Sequence, residues 1–93
     1  MDEGFFGVEI VYCASCNYLP LALRIAERLL SSFQGRLTGV TLVPGDDGVF
    51  DVRADGELLF SAQQAERLPR IEEVQQAVGL KIRAAREAAS GTR

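Results

Sequence analysis

Residues 12–18, with the sequence YCASCNY, decide the fold, because they join an apolar strand pattern to a long helical pattern. Cys13 and Cys16 form a Cys-x-x-Cys pair in this stretch, directly after an apolar-rich run at residues 8–11. The 93 residues contain no further cysteine and no histidine. A thiol pair at a junction between a strand and a helix is typical of redox chemistry.

The composition fits one small globular domain. A length of 93 residues, with 47% apolar and 25% charged residues, can bury one modest core. The net charge of −3 argues against a nucleic-acid partner, which would select a basic surface. The acidic residues 1–4 do not resemble a signal peptide, and no run of about 20 apolar residues could span a membrane. We therefore expect a cytoplasmic protein, and in a reducing compartment a lone cysteine pair is catalytic or metal-binding.

The first half of the chain predicts a strand, a helix and a second strand. β-branched residues dominate residues 5–12, which indicates a strand that ends at Cys13. Apolar residues recur every three or four positions over residues 17–33, which indicates a helix with Pro20 in its first turn and Gly35 as its C-terminal cap. Residues 37–43 predict the second strand, and residues 44–48, with the sequence PGDDG, predict a turn after it. A strand–helix–strand unit of this length predicts two parallel strands joined by a right-handed crossover.

A hairpin follows in the sequence. The stretch 49–61 predicts two antiparallel strands on either side of the turn Asp55-Gly56, which is a strong signal for a two-residue hairpin loop. Counting outward from this turn places Val52 opposite Leu59 on one face of the sheet.

The last third of the chain predicts a loop and a second helix. Residues 62–68 are polar and weakly patterned, which predicts a mobile loop. A helix with one apolar face begins at Pro69, and Gly79 weakens it by roughly 1 kcal/mol relative to alanine. We expect the chain ends, residues 1–4 and 88–93, to fray.

The predicted order β-α-β-β-β-α corresponds to a thioredoxin-like α/β sandwich. Its four-stranded mixed sheet is covered by two helices, and the whole chain, residues 1–93, is one domain. A small open sheet of this kind leaves edge strands free to pair, which allows a homodimer.

Cys13 and Cys16 suit a thiol–disulfide cycle. One thiolate attacks an oxidised sulfur, and the second thiol then releases the product from the mixed adduct. If the helix begins near Cys13, its unpaired N–H groups lower the pKa of that thiol and favour it as the attacking sulfur. Two alternatives stay open: packing as two small buried side chains, or a zinc site shared between two chains, since one chain has only two of the four ligands.

The residues around the pair are candidates for a substrate-facing surface. Tyr12 and Tyr18 bracket the cysteines and form either an apolar rim or ordinary packing. Ser15 and Asn17 are typical of local helix caps. The full set of candidates is Tyr12, Ala14, Ser15, Asn17 and Tyr18.

These motifs resemble those of the selenoprotein W family, the Rdx group. Three stretches carry the resemblance: Y-C-x-x-C with Y-x-P at residues 12–20, P-G-x-x-G-V-F-D-V at residues 44–52, and D-G-E-L-L-F-S at residues 55–61. The resemblance covers roughly residues 8–86 and implies a thioredoxin-like fold and a thiol-based redox role, with glutathione as a co-substrate. Selenium-containing members carry selenocysteine at the position of Cys16, so the resemblance favours that residue, whereas helix geometry favours Cys13. This chain resembles a non-selenium homologue.

Two functional hypotheses result. The first is a thiol–disulfide oxidoreductase that uses Cys13 and Cys16 on an oxidised thiol or disulfide, with glutathione or a protein as its partner. The alternative is a redox-responsive module that binds a protein partner without turnover. Neither hypothesis requires a metal or a bound cofactor, and neither involves nucleic acid or a membrane.

Overall fold

Four strands form one mixed sheet in the computed structural model, which describes residues 6–90. In chain order the elements are β1 (Phe6–Cys13), α1 (Leu19–Ser32), β2 (Leu37–Gly45), β3 (Phe50–Ala54), β4 (Glu57–Ser61), α2 (Ala62–Ala65) and α3 (Ile71–Ser90). The strand order is β2-β1-β3-β4, with β1 parallel to β2 and antiparallel to β3, and β3 antiparallel to β4. The predicted α/β fold with a four-stranded mixed sheet is confirmed, and the short α2 adds to the two predicted helices.

The two long helices cover one face of the sheet. The alternating residues of β1 that point to this face are all buried: Phe6, Val8, Ile10 and Tyr12. They share one core with residues of α1 and α3, and these two helices also contact each other. The alternation of buried and more exposed residues stops at the end of β1, where the adjacent residues Tyr12 and Cys13 are both buried.

Gly79 has a packing role in α3. A Cβ atom at this position would lie 3.3 Å from Cζ of Phe33, which follows α1. The glycine that weakens the helix in the sequence therefore makes room for an aromatic ring at the contact between the two helices.

The limits of α1 differ slightly from those predicted. The helix begins at Leu19, and Pro20 occupies its first turn as predicted. It ends with Phe33 as the C-terminal cap, whose N–H donates to the carbonyl of Leu29. Gly35, predicted as the cap, lies two residues later with a φ of 78°, in the turn that leads into β2.

The register predicted for the hairpin is wrong by one residue. Val52 lies opposite Phe60, because the ladder between β3 and β4 shifts between Val52 and Arg53. The extra residue of such a bulge cannot be seen by counting outward from the turn. Leu59 and Phe60 both pack against the core as a result.

The predicted mobile loop at residues 62–68 is wrong over its first half, where α2 forms. Ser61 caps this helix, since its Oγ accepts a hydrogen bond from the backbone N–H of Gln64 at 3.3 Å. The second half is held by Arg67, whose guanidinium donates to both carboxylate oxygens of Glu73 at 2.9 and 2.7 Å. The polar residues of this stretch therefore cap a helix and form an ion pair, and their polarity does not indicate a mobile loop.

The predicted frayed ends lie partly outside the described residues. Residues 1–4 and 91–93 are not described, whereas the backbone of α3 continues to Ser90. None of the helices within residues 6–90 combines the length and the apolar character needed to cross a membrane.

Candidate redox site

The two cysteines are joined in a disulfide bond. Cys13 and Cys16 are bonded through their Sγ atoms, and their Cα atoms lie 5.3 Å apart. Cys13 is the last residue of β1, and Cys16 lies in the turn of residues 14–17 that leads to α1. The disulfide therefore links the end of a central strand to the connection that follows it.

Cys13 is held by the strands on both sides of β1. Its side chain is 0% exposed, and its N–H donates to the carbonyl of Val49 at 2.8 Å, just before β3. On the other side it lies next to Gly45, its partner in the parallel ladder with β2. A residue fixed by two neighbouring strands has little freedom to move when the disulfide opens.

Gly45 has no side chain, and this allows Val11 of β1 and Val49 to pack closely against β2 at this end of the sheet. A Cβ atom at this position would lie 2.9 Å from Cγ1 of Val49 and 3.2 Å from Cγ1 of Val11. Because real Cβ atoms do not approach that closely, the two valine side chains need a glycine between the strands. The Gly45 carbonyl also accepts the N–H of Ala14 at 3.0 Å and so fixes the start of the turn.

Cys16 has different surroundings, because it is exposed in a short turn. Its N–H donates to the carbonyl of Cys13 at 3.4 Å, and the N–H of Asn17 donates to the carbonyl of Ala14 at 3.3 Å. Asn17 closes the turn with a φ of 64°, a left-handed conformation that asparagine tolerates better than most residues.

The condition under which helix geometry favoured Cys13 is not met. α1 begins at Leu19, so the cysteine at the end of β1 is outside the first helical turn, and Cys16 is the nearer of the two. The effect of a helix end on a charge falls off within one turn. The helix end therefore gives no reason to prefer Cys13 as the attacking sulfur.

Ser15 is the side chain that makes a polar contact with the disulfide. Its Oγ lies 3.6 Å from Sγ of Cys13, within the range of a hydrogen bond to sulfur. The N-terminal cap of α1 is Tyr18, without a side-chain hydrogen bond, so neither Ser15 nor Asn17 caps this helix. The capping role predicted for these two residues is wrong, because the helix starts too late for them to reach it.

The other predicted residues divide between the core and the surface. Tyr12 is 9% exposed in the core, and Tyr18 is half-buried with its ring 6.2 Å from that of Phe50. The burial of Tyr12 agrees with the packing alternative, whereas Tyr18 packs on Phe50 and is also partly exposed, so that its place in an apolar rim stays a prediction. Ala14, like Ser15 and Asn17, is exposed beside Cys16.

The residues that position Cys13 are not evident from the sequence around the cysteines. Gly45 and Val49 lie 32 and 36 positions after Cys13 along the chain, and they reach this end of β1 through the pairing of the sheet. The available signal was the glycine itself, since glycine inside a strand pattern marks a bulge or a close approach. Its assignment to a turn hid that signal, whereas the structure places it in β2.

Two comparisons with known proteins find similar chains. The sequence model of the Rdx family matches residues 7–79. Among solved structures, the chain is similar to a selenoprotein W-related protein from Vibrio cholerae, with 26% identity and a TM-score of 0.79 over 83% of this chain and 96% of that one. It is also similar to a protein from Bordetella parapertussis, with 34% identity and a TM-score of 0.76 over 80% of this chain and 94% of that one. No curated protein matches the chain in sequence.

Proposed function

Because the chain belongs to the Rdx family, of the selenoprotein W type, and its disulfide fits a thiol redox role, we propose that it carries out thiol–disulfide exchange with Cys16 as the attacking sulfur. The observation that carries this proposal is the difference in exposure between the two cysteines. Cys16 is exposed, whereas Cys13 is fully buried at the end of β1.

Access determines the order of the steps. Thiol–disulfide exchange requires the incoming thiolate to approach one sulfur of the disulfide directly. In the oxidised protein Cys16 is the exposed residue of the pair and Cys13 is the buried one. By microscopic reversibility, the sulfur attacked during reduction is the one that attacks when the reduced protein meets a substrate disulfide.

The cycle balances over two electrons. An external thiolate attacks Sγ of Cys16, forms a mixed disulfide there and releases Cys13 as a thiolate. A second external thiolate then attacks the external sulfur of the adduct, which leaves both cysteines reduced and the external thiols joined as a disulfide. In the opposite direction Cys16 attacks an oxidised substrate, and Cys13 attacks the adduct to restore the observed bond.

Ser15 fits the role of stabilising the buried leaving group. When Cys13 leaves as a thiolate, its negative charge is desolvated, which is costly without a hydrogen-bond donor. The Ser15 hydroxyl, 3.6 Å from that sulfur, can donate to it. We assign Ser15 as a positioning and stabilising residue on this basis.

Glutathione is the external thiol that we propose for the reductive half of the cycle. A small thiol can approach an exposed sulfur in a turn without any groove to guide it, and the residues flanking Cys16 on the turn are small or polar. We propose the reducing cytoplasm, where this thiol is available, as the compartment of action.

The test uses single cysteine variants and glutathione disulfide. We expect wild-type protein to catalyse the reduction of a small organic disulfide with glutathione as the reductant, measured as the glutathione disulfide formed, and Cys16→Ser to lose this turnover. Cys13→Ser should trap one glutathione per chain by mass spectrometry, because its exposed thiol remains without the resolving partner. Cys16→Ser should trap little, because its remaining thiol is buried.

Each contrary result has a defined meaning. An adduct trapped in Cys16→Ser but not in Cys13→Ser would assign the attack to Cys13 and overturn our order of steps. Stoichiometric oxidation of wild-type protein without turnover would replace the oxidoreductase by the redox-responsive binding module.

A further inference from the structure

The outer edge of β2 is exposed and has the character of a pairing surface. β2 is an edge strand of nine residues, Leu37–Gly45, and none of them is charged. The Gly45 carbonyl points toward β1, since it accepts the N–H of Ala14. Because backbone groups alternate in direction along a strand, those of Val40 and Leu42 point outward. No strand within residues 6–90 pairs with them.

The opposite edge of the sheet is protected. β4 has five residues and a bulged ladder, and its Glu57 forms an ion pair with Lys81 at 2.8 Å. The guanidinium of Arg67 lies 5.3 Å from the centre of the Phe60 ring. Short length, charge, proline and bulges are the features by which edge strands avoid pairing with other chains. β2 has two of them, a shift of its ladder at Thr38 and Pro44, but both lie near its ends, and its middle residues 39–43 carry no charge.

An apolar stripe on α1 lies on the same side of the molecule. Leu19, Leu23 and Leu30 are 39%, 52% and 46% exposed. At 100° per residue these side chains fall within an arc of about 40° on the helix. Arg28 marks the direction of α3, since it donates to Gln75 at 3.0 Å, and it lies about 160° away around the helix. The stripe therefore points away from α3, toward the β2 edge over which α1 packs.

We propose that a second copy of this chain docks on this surface. β2 of one copy pairs antiparallel with β2 of the other, about a two-fold axis perpendicular to the sheet. This symmetry continues the sheet to eight strands and brings the two α1 helices side by side on the same face. The leucine stripe of α1, formed by Leu19, Leu23 and Leu30, then packs against the same stripe on the other copy.

The dimensions agree with this arrangement. α1 contacts β1 and β2, so its axis lies about 1 to 1.5 strand spacings from the seam between the copies. With strands about 4.8 Å apart, the two α1 axes would lie about 10 to 14 Å apart, close to the 8–10 Å at which helices pack. Side chains of leucine size can fill that separation.

A second copy fits better than a charged or bulky partner. An uncharged strand can approach its own copy without like-charge repulsion. A strand about 30 Å long, with a strand layer and a helix layer about 20 Å high together, would bury about 600 Å² per copy. That area is at the low end for specific protein interfaces, so we expect a weak, reversible dimer.

The dimer does not depend on the redox proposal. Antiparallel pairing places the Gly45 end of each β2, beside its disulfide, at opposite ends of the seam. Both Cys16 residues therefore remain exposed in the dimer. Assembly and turnover can be measured separately, so that failure of one proposal leaves the other intact.

Sedimentation equilibrium from low micromolar to about 1 mM tests the proposal, since this range covers weak interfaces. We expect the mass of oxidised wild-type protein to rise from 10.1 kDa toward twice that value. Leu23→Lys and Thr41→Lys, both at exposed positions, should raise the dissociation constant about tenfold or more, because each places like charges across the seam. Leu80→Lys and Gln64→Lys are the matched controls, exposed on α3 and beside β4, and should leave it unchanged.

Hydrogen exchange locates the seam independently of the variants. The amides of Val40 and Leu42 should exchange more slowly as the wild-type concentration rises, while those of β4 should not change. A mass that stays at 10.1 kDa throughout would overturn the proposal. So would an equal loss of dimer in the control variants, or concentration-dependent protection confined to β4.

Discussion

The two sulfurs of one disulfide have opposite environments. Cys13 is buried at the end of β1, between Gly45 on β2 and the carbonyl of Val49 before β3. Cys16 is exposed in the turn that follows, and its own N–H donates locally, to the carbonyl of Cys13. One cysteine therefore belongs to the sheet and the other to the surface, although only two residues separate them.

In the proposed reaction this difference divides the work between the two cysteines. A sulfur that external thiols can reach is suited to attack, and a sulfur that the sheet holds in place is suited to resolve the adduct at close range. Gly45 and Val49 maintain the buried environment, whereas Ser15 and Asn17 shape the exposed one. Changes to these residues test the division, beginning with the largest expected effect.

Gly45→Val should disturb the buried side most. The new side chain would collide with Val49 and Val11, whose Cγ1 atoms lie 2.9 and 3.2 Å from the position of its Cβ. Overpacking of this kind typically lowers the free energy of unfolding by about 1–3 kcal/mol. Urea denaturation of the oxidised protein measures the loss.

Gly39→Val is the matched control for that change. Gly39 lies on the same strand, and a Cβ atom there would meet nothing within 4 Å. We expect its unfolding free energy to stay close to that of wild type or to rise slightly, since valine suits a strand. Equal destabilisation by both variants would show that the strand, and not the space beside Cys13, is sensitive.

Asn17→Val should disturb the exposed side by a smaller amount. The residue has a φ of 64°, and forcing a β-branched side chain into this conformation costs about 1–2 kcal/mol. Reduction of the disulfide should become easier as the strained turn relaxes when the bond opens. The free energy of unfolding and the equilibrium with a glutathione redox buffer measure the two effects.

Asn17→Gly distinguishes the effect of the backbone conformation at this position from the effect of the asparagine side chain. Glycine adopts a positive φ without steric cost, so this variant should keep the redox equilibrium of wild type. If Asn17→Gly shifts that equilibrium as far as Asn17→Val does, the asparagine side chain matters rather than the backbone conformation.

The position of the cysteine pair and the order of the surrounding elements could be predicted from the sequence. The Cys-x-x-Cys motif, the alternation along β1 and the periodicity along α1 located the site and the element order, because these signals are local. Burial of Cys13 was not readable, since it depends on β2 and on the residue before β3, which are distant along the chain. Which distant segments pair with β1 depends on the arrangement of the whole sheet, and the sequence near the cysteines carries no information about it.

Two further differences have the same origin. The bulge places Phe60 opposite Val52 and allows the consecutive residues Leu59 and Phe60 to pack against the core. This packing depends on tertiary contacts, so that it cannot be predicted from the sequence of the turn. The start of α1 at Leu19 reflects the four-residue turn that the disulfide closes. Ser15 thus contacts a sulfur rather than capping the helix, although its residue type suits both roles.

Ser15→Ala tests the one polar contact that reaches the buried sulfur from the turn. Loss of the hydroxyl should slow reduction by glutathione about tenfold, because a hydrogen bond to a charged group contributes about 1.5 kcal/mol at the low end of its range. Stopped-flow measurement of thiol release gives the rate. Ser31→Ala, on the exposed side of α1, should leave the rate unchanged, and equal slowing in both variants would remove Ser15 from the mechanism.

Arg67→Gln should have the smallest effect and tests how local the difference between the sulfurs is. The hydrogen bonds from the Arg67 guanidinium, aided by the backbone N–H of Arg70, lower the pKa of Glu73 to about 2 from the ordinary 4.5. A lowered carboxyl pKa stabilises the folded protein above pH 4.5, and this contribution disappears as the pH falls from 4.5 through 2.

In Arg67→Gln the pKa of Glu73 should rise back toward 4.5, as measured by NMR titration of its carboxyl carbon. The loss of stability between pH 5 and pH 2 should then be slightly smaller than in wild type, since an exposed ion pair contributes little. The rate at which glutathione reduces the disulfide should not change, because this ion pair connects the segment after α2 to α3 and touches neither cysteine. An altered reduction rate would mean that the environments of Cys13 and Cys16 depend on the whole fold, and the division of work between them would no longer be explained by the end of β1 and its turn alone.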